Sequence, residues 1–403
     1  MTVGALAERL PREAAAAKIA GMTGIAIAIL GYWLTLPPAT LTPTAVPVIF
    51  AVGAAACGAY AIVGGHRRLG WGAIAAGILT LALGLLAEHA GRGNLHTAVV
   101  WGPLVASMFV YATPLTYAAM GGLYSERSGV VNIGLEGMML TGAFFGIWGA
   151  VQTGNWVLGL LIAMGAGGVL AFIYAFFAIH LRSDQIVGGT AINFLALGIT
   201  GYLFIDIYGS NGTPGMSNAE QIPNLSISSS NGFFGQGFGD LNLLVWVSFA
   251  LLILTYLFVF RTPFGLRLRA VGEHPRAADT VGISVFKVRY AAVTFSGMLS
   301  AMGGAFLSIG FVHSFNQNMT EGRGFIALAA LIFGKWRPGG AFAAALLFGF
   351  SSALAQRLAA IPNWATYAVL FQALPYVLTL VAVAGVIGRS IPPAADGQPY
   401  EKQ

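Results

Sequence analysis

The sequence predicts an all-α protein that crosses a membrane many times, and three observations support this fold class. Charged residues make up only 8% of the 403 residues, whereas hydrophobic residues make up 57%. A soluble protein carries about a quarter charged residues. Many apolar runs approach or exceed the ~20 residues that a helix needs to cross a bilayer. The 55 glycines favour close packing between such helices.

About 11 to 12 apolar segments are predicted to form membrane helices. They cover residues 18–37, 45–64, 70–87, 97–120, 134–152, 157–180, 186–207, 241–260, 288–312, 324–334, 339–356 and 364–387. The run 324–334 is too short to cross a bilayer alone. It either counts as a crossing or forms a broken, re-entrant helix that is buried in protein, as transporters have at their pathways.

Composition divides the chain into three parts. Residues 1–96 are rich in Ala, Ile, Leu and Gly, with almost no polar side chains within the spans, and we interpret them as three added helices. Residues 97–390 are predicted to form the working core. Residues 391–403 read I-P-P-A-A-D-G-Q-P-Y-E-K-Q and are predicted to be a disordered cytoplasmic tail. Cys57 is the only cysteine, so a disulfide within the chain is excluded.

Positive charges predict the orientation of the chain. If the N-terminus is cytoplasmic and 324–334 counts as a crossing, all of the 20 Lys and Arg residues except Arg92, Arg323 and Arg357 fall in cytoplasmic segments. Cytoplasmic loops carry such an excess of positive charge, so both termini are predicted to be cytoplasmic. The net charge of +6 then reflects loops that face the cytoplasm and an anionic leaflet of the lipid bilayer, and no nucleic-acid partner is expected.

The longest charged stretch inside the chain, 261–290, is predicted to be a large cytoplasmic loop. His274 or Glu273 can end a preceding turn, and Pro275 suits the first turn of a helix. Gly282 is a suitable residue just beyond the end of that helix. A short helix held out on a basic loop indicates a docking element. The alternative is a solvated loop without a partner, as most basic loops are.

Two polar stretches interrupt the apolar spans. Asn132 and Glu136 lie four residues apart and therefore share one helical face. Burying an acidic residue in a membrane is costly, so Glu136 is a candidate for the substrate pathway. The alternative is a structural network of Glu136 with Glu126 and Arg127 at the cytoplasmic end of the span.

The second polar stretch, 180–193, ends in Asn193. This side chain could hydrogen-bond a polar solute, or it could bond a neighbouring helix, which is the more frequent role of a lone asparagine in a membrane. Phe144 and Phe194 could stack on a flat polar solute, although most of the 27 phenylalanines must be packing or lipid-facing residues. These residues, together with Asn132 and Glu136, are the candidate pathway residues.

Several motifs that carry chemistry are absent from the sequence. It contains no G-x-x-x-x-G-K-[ST] and therefore no P-loop for ATP. No H-E-x-x-H, Cys/His cluster or G-x-S-x-G is present, so no catalytic residue, metal ligand or cofactor of this chain is predicted. Acidic residues within the spans are scarce, which disfavours a stand-alone secondary carrier, and no clustered polar site indicates a membrane enzyme.

Three ordered motifs carry a family resemblance: S-E-R-S-G-V-V-N-I-G-L-E-G-M-M-L-T-G-A-F, L-R-S-D-Q-I-V-G-G-T-A-I-N-F-L-A-L-G and G-L-R-L-R-A-V-G-E-H-P-R-A-A-D-T-V-G-I. They closely resemble the permease subunits of bacterial ABC importers for nucleosides, which are similar to the branched-chain amino acid and ribose-type permeases. The resemblance covers residues 97–390.

The resemblance implies a type II-like importer transmembrane domain with three extra N-terminal helices in a bacterial plasma (inner) membrane. It implies transport of nucleosides, with simple sugars or branched-chain amino acids as alternatives. The implied partners are a second permease subunit, ABC ATPase subunits that use ATP and Mg, and an extracellular substrate-binding lipoprotein. The resemblance also makes the loop helix the element coupled to the ATPase, through Gly272, Glu273, His274, Pro275, Arg276, Ala277, Ala278, Asp279 and Gly282.

Overall fold

The structure, a computed structural model, describes residues 3–35, 45–90, 100–209, 212–227, 232–361, 372–376 and 390–401. Its helices are α1 (Val3–Thr35), α2 (Ala45–Val63), α3 (Arg67–Ala90), α4 (Trp101–Arg127), α5 (Leu135–Thr153), α6 (Trp156–Ala175), α7 (Gln185–Tyr208), α8 (Phe233–Phe238), α9 (Leu243–Arg261), α10 (Pro263–Glu273), α11 (Pro275–Thr280), α12 (Val285–Ala305), α13 (Arg323–Phe333) and α14 (Pro338–Ala359). Turns of π-helix, Phe176–His180 and Phe306–Val312, extend α6 and α12.

The predicted all-α polytopic fold is confirmed. In the described part of the chain, nine helices are long and apolar enough to cross a membrane. The predicted span 364–387 lies outside the described residues, apart from the short stretch 372–376. The chain is therefore a multi-pass helical membrane protein.

The first compact unit comprises Met1–Leu104 together with Ser351–Arg389. Its helices α1, α2 and α3 pack closely through small residues. A Cβ atom at Gly24 would lie 2.9 Å from the Cβ atoms of both Cys57 and Ala73, so a larger residue would push the three helices apart. The unit differs in extent from the predicted 1–96 segment, because it also contains residues that the composition assigned to the core.

The second unit comprises Val105–Phe350 and Ser390–Gln403. Helices α5, α6 and α12 pack at its centre through glycines. A Cβ atom at Gly304 would overlap the backbone oxygen of Met139, and one at Gly142 would overlap the backbone of Ala301. Glycine at these crossings lets the backbones of α5 and α12 touch, as its abundance predicted.

The short predicted run 324–334 forms α13, a helix of 11 residues. Its length is about 16 Å, which is roughly half of the ~30 Å hydrocarbon layer. Irregular backbone over residues 313–322 joins α13 to the end of the π-helical turn at Val312. The structure confirms that this run forms a short helix, and whether it is re-entrant stays a prediction.

In the loop between α7 and α9, strands β1 (Asn224–Ser226) and β2 (Asp240–Asn242) pair in antiparallel fashion and flank α8. The backbone N–H of Ile222 donates to the oxygen of Ile309, and that of Trp156 donates to Ala219. The described part of this loop is thus attached to the ends of α6 and α12.

The predicted disorder of residues 391–403 is wrong for residues 391–401, which the structure describes. They run along α10 and α11, and the backbone N–H of Ala395 donates to the oxygen of Gly272 at 2.9 Å. Tyr400 is only 5% exposed, with its ring 5.6 Å from that of Phe286. Burial of Tyr400 offsets the entropy of ordering the segment, an effect that local composition does not reveal.

Candidate functional site

Two short helices, α10 and α11, form the first candidate site in the loop that the sequence predicts to be cytoplasmic. Thr262 caps α10 through its hydroxyl oxygen, which accepts from the N–H of Gly265, and Pro263 occupies the first turn. His274 separates the helices with extended backbone, and α11 begins at Pro275 as the sequence predicted. Gly282 follows with a φ of 84°, a conformation that glycine adopts without strain.

One face of α11 is anchored and the other is exposed. Ala278 is 3% exposed and lies in an apolar cluster with Val271, Val285 and Tyr400. The side chains on the opposite face are open to solvent: His274, Arg276, Ala277 and Thr280. The helix is therefore held in position on one face while its other face, which carries Arg276, is open.

Gly272 fixes α10 against the end of α4. A Cβ atom there would overlap the backbone oxygen of Arg127, so only glycine permits this approach. Arg127 in turn donates to the backbone oxygen of Trp336, with Nη2 at 2.7 Å, and Trp336 donates through Nε1 to the carboxylate of Glu126. These contacts connect α10 and α11 to the segment that follows α13.

Glu273 makes internal contacts. Its carboxylate accepts from the backbone N–H of Ala394 at 3.1 Å and lies 4.0 Å from Arg127 Nη1. Its side chain is 47% exposed, so the ion pair with Arg127 stabilises the structure little. These contacts favour a role for Glu273 in positioning the last residues of the chain.

Residues 390–401, which we call the C-terminal strap, are the part of this site that sequence reasoning missed. Arg289, 1% exposed, donates from Nε to the oxygen of Ser128 at 3.2 Å and from Nη1 to the oxygen of Gln398 at 3.1 Å. Arg182 forms an ion pair with Glu401. The strap and α11 together enclose a groove of about 670 Å³, lined by Glu273, His274, Pro275, Arg276, Ala277, Ala394, Ala395, Gln398, Pro399, Tyr400 and Glu401.

The strap contains a carboxyl group, Asp396, whose protonation is expected to affect how firmly the strap stays against the rest of the chain. Burial raises the pKa of Asp396 to about 7, against the opposite effects of the Arg289 guanidinium and the Gly397 N–H. A raised pKa means that the docked strap binds the proton more tightly than the free strap. The contribution of Asp396 to the stability of the bound strap is therefore complete below the ordinary carboxyl pKa of 3.8 and is lost as the pH rises through about 7.

We expect Asp396→Asn to keep the strap docked at pH 8, because asparagine carries no charge to bury. The measurement is the mobility of a spin label attached to Gln398→Cys in a Cys57→Ser background, from pH 5 to pH 8.5. With Asp396 intact, the mobility is expected to rise with a midpoint near pH 7. Identical pH profiles with and without Asp396→Asn would contradict the assignment.

The second candidate site surrounds Glu136, at the beginning of α5. Its carboxylate is buried and accepts three hydrogen bonds: from the hydroxyl of Thr320 at 2.5 Å, from the N–H of Gly322 at 2.8 Å and from the N–H of Gly324 at 2.6 Å. These donors precede and begin α13, where a helix leaves N–H groups without partners. Glu136 thus fixes the start of α13, which we call the half-helix because it is about half as long as the hydrocarbon layer is thick. Glu136 does not join the alternative network with Glu126 and Arg127.

Asn132 and Asn193 hold the irregular chain between α4 and α5. Asn132 is fully buried and donates from Nδ2 to Ser296 Oγ at 3.0 Å. Asn193 accepts from the N–H of Gly137 at 2.8 Å and donates to the oxygen of Ile133 at 3.0 Å. Both side chains bond other parts of the chain, which favours a positioning role over contact with a solute. The prediction that Asn132 shares a helical face with Glu136 is wrong, because α5 begins only at Leu135.

The two phenylalanine candidates lie in opposite environments. Phe144 is fully buried and packs edge-on against Phe315, with ring centroids 5.3 Å apart. Phe194 is 69% exposed and lines an apolar groove with Tyr202. The structure does not bring Phe194 and Phe144 together with the asparagines on one open surface. Their assignment to the pathway stays a prediction.

Within the residues that the structure describes, no group of three or more His, Cys, Asp or Glu side chains could hold a metal ion. Three features agree with a membrane permease: many apolar spans, the short helix α13 with a buried polar anchor, and the helix pair α10 and α11 that is held against the core. These features define a class of transport protein rather than an individual one.

Comparison with known proteins defines the family. The family model described as branched-chain amino acid transport system / permease component matches residues 104–383, and the chain belongs to this family. The match begins after α1 to α3, which therefore lie outside the family region. No solved structure matches the chain, and the type II-like fold stays a prediction.

Three relatives are transporter permeases by name. A guanosine ABC transporter permease protein of Bacillus subtilis is 43% identical over 311 residues, covering 74% of this chain and 96% of the relative. A nucleoside ABC transporter permease protein of Lactococcus lactis is 38% identical, with the same coverage of 74% and 96%. A putative glucose ABC transporter permease protein of Haloferax volcanii is 35% identical, over 61% of this chain and 74% of the relative. The resemblance found in the three motifs is confirmed.

Proposed function

We propose that this chain is the transmembrane permease subunit of an ATP-driven importer that moves nucleosides. The observation that carries the proposal is α11, a short helix that is anchored by Ala278 and exposes Arg276 and Ala277 on the side away from the spans. Such a helix is suited to docking in a groove of an ATPase. The chain itself has no catalytic role in this proposal, and a separate ATPase subunit uses ATP and Mg.

Contacts through the core provide a route from α11 to the membrane segments. Gly272 seats α10 on the end of α4, Arg127 bonds Trp336 beyond the end of α13, and Glu136 holds the start of α13. When the ATPase closes, movement of α11 displaces this connected set, and the attached spans rock to open the pathway on alternate sides.

Nucleosides are the substrates that the relatives favour, since the relatives that are 43% and 38% identical are named for guanosine and for nucleosides. Simple sugars are the alternative, supported by the glucose permease relative that is 35% identical. Branched-chain amino acids are supported by the family description alone. A stand-alone secondary carrier has less support, because every one of these relatives is named for an ABC transporter or its family.

The proposed assembly lies in a bacterial plasma membrane with both termini cytoplasmic. It contains a second permease subunit, the ATPase and an extracellular substrate-binding lipoprotein. Contact of the C-terminal strap with α10 and α11 supports the orientation, because it places the end of the chain on the same side as the docking helix. The excess of Lys and Arg in the segments on this side agrees with it.

Purification of the tagged chain from its native membrane in mild detergent tests the proposed assembly. We expect an ATPase, a second permease and a lipoprotein to co-purify. The same preparation from cells that express Ala278→Asp, which places a charge in the anchoring cluster, should lose the ATPase but retain the second permease. A chain that purifies alone, from cells in which it is expressed at its native level, would contradict the assembly.

A further inference from the structure

Residues 320–324, at the start of α13, alternate between two environments. Thr320, Gly322 and Gly324 bond inward to the carboxylate of Glu136. Between them, the side chain of Glu321 is 72% exposed and that of Arg323 is 26% exposed, with Arg323 Nη1 3.7 Å from Glu321 Oε2. Arg323 Nη1 also donates to the backbone oxygens of Met319 at 2.8 Å and Thr320 at 3.2 Å, which fix the guanidinium beside Glu321. The two charges therefore lie side by side on the surface of this subunit.

The charged pair lies at membrane depth. From Phe333, next to the cytoplasmic end of α4, the helix α13 rises about 16 Å to Arg323. Independently, α7 rises about 12 Å from Gln185 to Asn193, which bonds Gly137 beside Glu136. Both heights, about 16 Å and about 12 Å from the side of Phe333 and Gln185, place the pair within the hydrocarbon layer. That layer is ~30 Å thick, and the headgroup regions on either side of it are thin. The charge count alone had placed Arg323 on the outer side.

Exposed charges at this depth do not face lipid. Ionisable residues within a membrane face the interior of an assembly or a water-filled cavity, because contact with hydrocarbon is costly. Irregular backbone is tolerated at membrane depth only under the same condition. The irregular segment begins at the end of α12, where the N–H of Phe315 donates to Thr213 in the loop between α7 and α9, and from there to Glu321 it exposes Asn316, Gln317 and Asn318. So many donors and acceptors suit a wet cavity better than a dry helix interface, which is built from small residues.

The backbone conformation of the segment supports a functional role. His313, Asn318 and Glu321 have positive φ angles of 55°, 57° and 46°, which are uncommon for residues other than glycine. Such conformations persist where surrounding structure holds them, and they cluster at functional sites. Here the three hydrogen bonds to Glu136 hold the backbone around Glu321 in place.

We propose that Glu321 and Arg323 form a polar subsite in the translocation pathway that binds an uncharged, hydrogen-bonding solute of the nucleoside class. The carboxylate accepts from hydroxyl groups. Since Nη1 is bonded to the backbone, the remaining guanidinium N–H groups of Arg323 are the ones that donate to carbonyl and ring-nitrogen acceptors. The pair has no net charge, which suits a neutral solute. This subsite rests on the proposed transport of nucleosides.

Cysteine labelling tests the exposure of the pair in the assembled transporter. Glu321→Cys and Phe194→Cys are each placed in a Cys57→Ser chain, which otherwise has no cysteine. Phe194 is the matched control, since it lies beside Asn193 at the same depth and is 69% exposed on an apolar surface. A membrane-impermeant thiol reagent is expected to modify Glu321→Cys roughly tenfold faster in open membranes, because the thiolate that reacts forms only in water.

Guanosine then tests the subsite itself. It is expected to slow the labelling of Glu321→Cys, and Glu321→Gln is expected to raise the KM for guanosine uptake roughly tenfold, with kcat little changed. Glu220→Gln, in the loop between α7 and α9, is the control and should leave KM unchanged.

Labelling of Glu321→Cys as slow as that of Phe194→Cys would overturn the pathway assignment. The subsite would be overturned if, in a transporter that takes up guanosine, guanosine did not slow the labelling of Glu321→Cys or Glu321→Gln did not raise the KM. A wild-type transporter that takes up no nucleoside would instead contradict the proposed function, and the labelling rates would still decide the pathway assignment.

Discussion

Replacing Glu136 with alanine is expected to abolish transport and to lower the stability of the permease. The change removes the acceptor of three hydrogen bonds and leaves the hydroxyl of Thr320 and the N–H groups of Gly322 and Gly324 without their partner. Each buried donor left unsatisfied costs about 1–3 kcal/mol. The start of α13 would then lose its fixed position, and with it the irregular segment that carries Glu321. Uptake of labelled nucleoside and the melting temperature of the purified complex measure the two effects.

Glu136→Gln separates charge from hydrogen bonding. Glutamine retains one acceptor oxygen, which can still accept from Thr320 and Gly322. Its NH2 group would then face the N–H of Gly324, from which the second carboxylate oxygen now accepts a hydrogen bond. We therefore expect a melting temperature between those of the alanine variant and the wild type. Glu220→Ala is the matched control, because Glu220 is half-exposed and, among the described residues, accepts a hydrogen bond from the N–H of Ser217 within the same loop. Wild-type uptake by Glu136→Ala would show that this carboxylate does not hold the half-helix.

Replacing Arg276 with glutamate is expected to reduce ATP-dependent uptake by roughly tenfold or more while the chain still inserts and folds. Arg276 lies on the exposed face of α11, opposite the apolar side chains that anchor the helix around Ala278. Reversing its charge would therefore weaken docking of the ATPase without disturbing the permease. Uptake in cells and recovery of the ATPase with the tagged chain are the measurements.

Arg267→Glu is the control for this charge reversal. Arg267 is an exposed arginine on α10, and its guanidinium lies 5.9 Å from the centre of the Phe264 ring. We expect it to have a much smaller effect, because docking is proposed to involve α11. Glu273→Lys is expected to act differently again, by releasing Ala394 and the C-terminal strap. Equal losses from Arg276→Glu and Arg267→Glu would indicate general attraction to a basic loop instead of a docked helix.

Features with local causes could be predicted from the sequence. Pro275 and Gly282 define α11, and apolar length defines the spans, because helix caps and burial in lipid act over a few residues or a single helix. The length of the run 324–334 predicts that it cannot cross a bilayer alone. The carboxylate of Glu136 was recognised as costly to bury, although the residues that satisfy it lie nearly two hundred positions away.

Features with distant causes could not be predicted. The strap is ordered by Tyr400, Arg289 and Glu273, whose contacts join parts of the chain that only the fold brings together. Composition alone therefore predicted disorder. The proposed depth of Arg323 would illustrate the same limit for orientation, because a charge beside an apolar run indicates a membrane boundary unless the run is a short helix that begins within the membrane.

ATP-dependent uptake by the reconstituted transporter tests the proposed role most directly. The complex that co-purifies with this chain would be placed in liposomes with the binding protein outside and ATP with Mg inside, and entry of tritiated guanosine would be measured. We expect uptake that requires ATP and that is lost with Arg276→Glu. Uptake at the same rate without ATP, by this chain alone, would contradict the importer and indicate a secondary carrier.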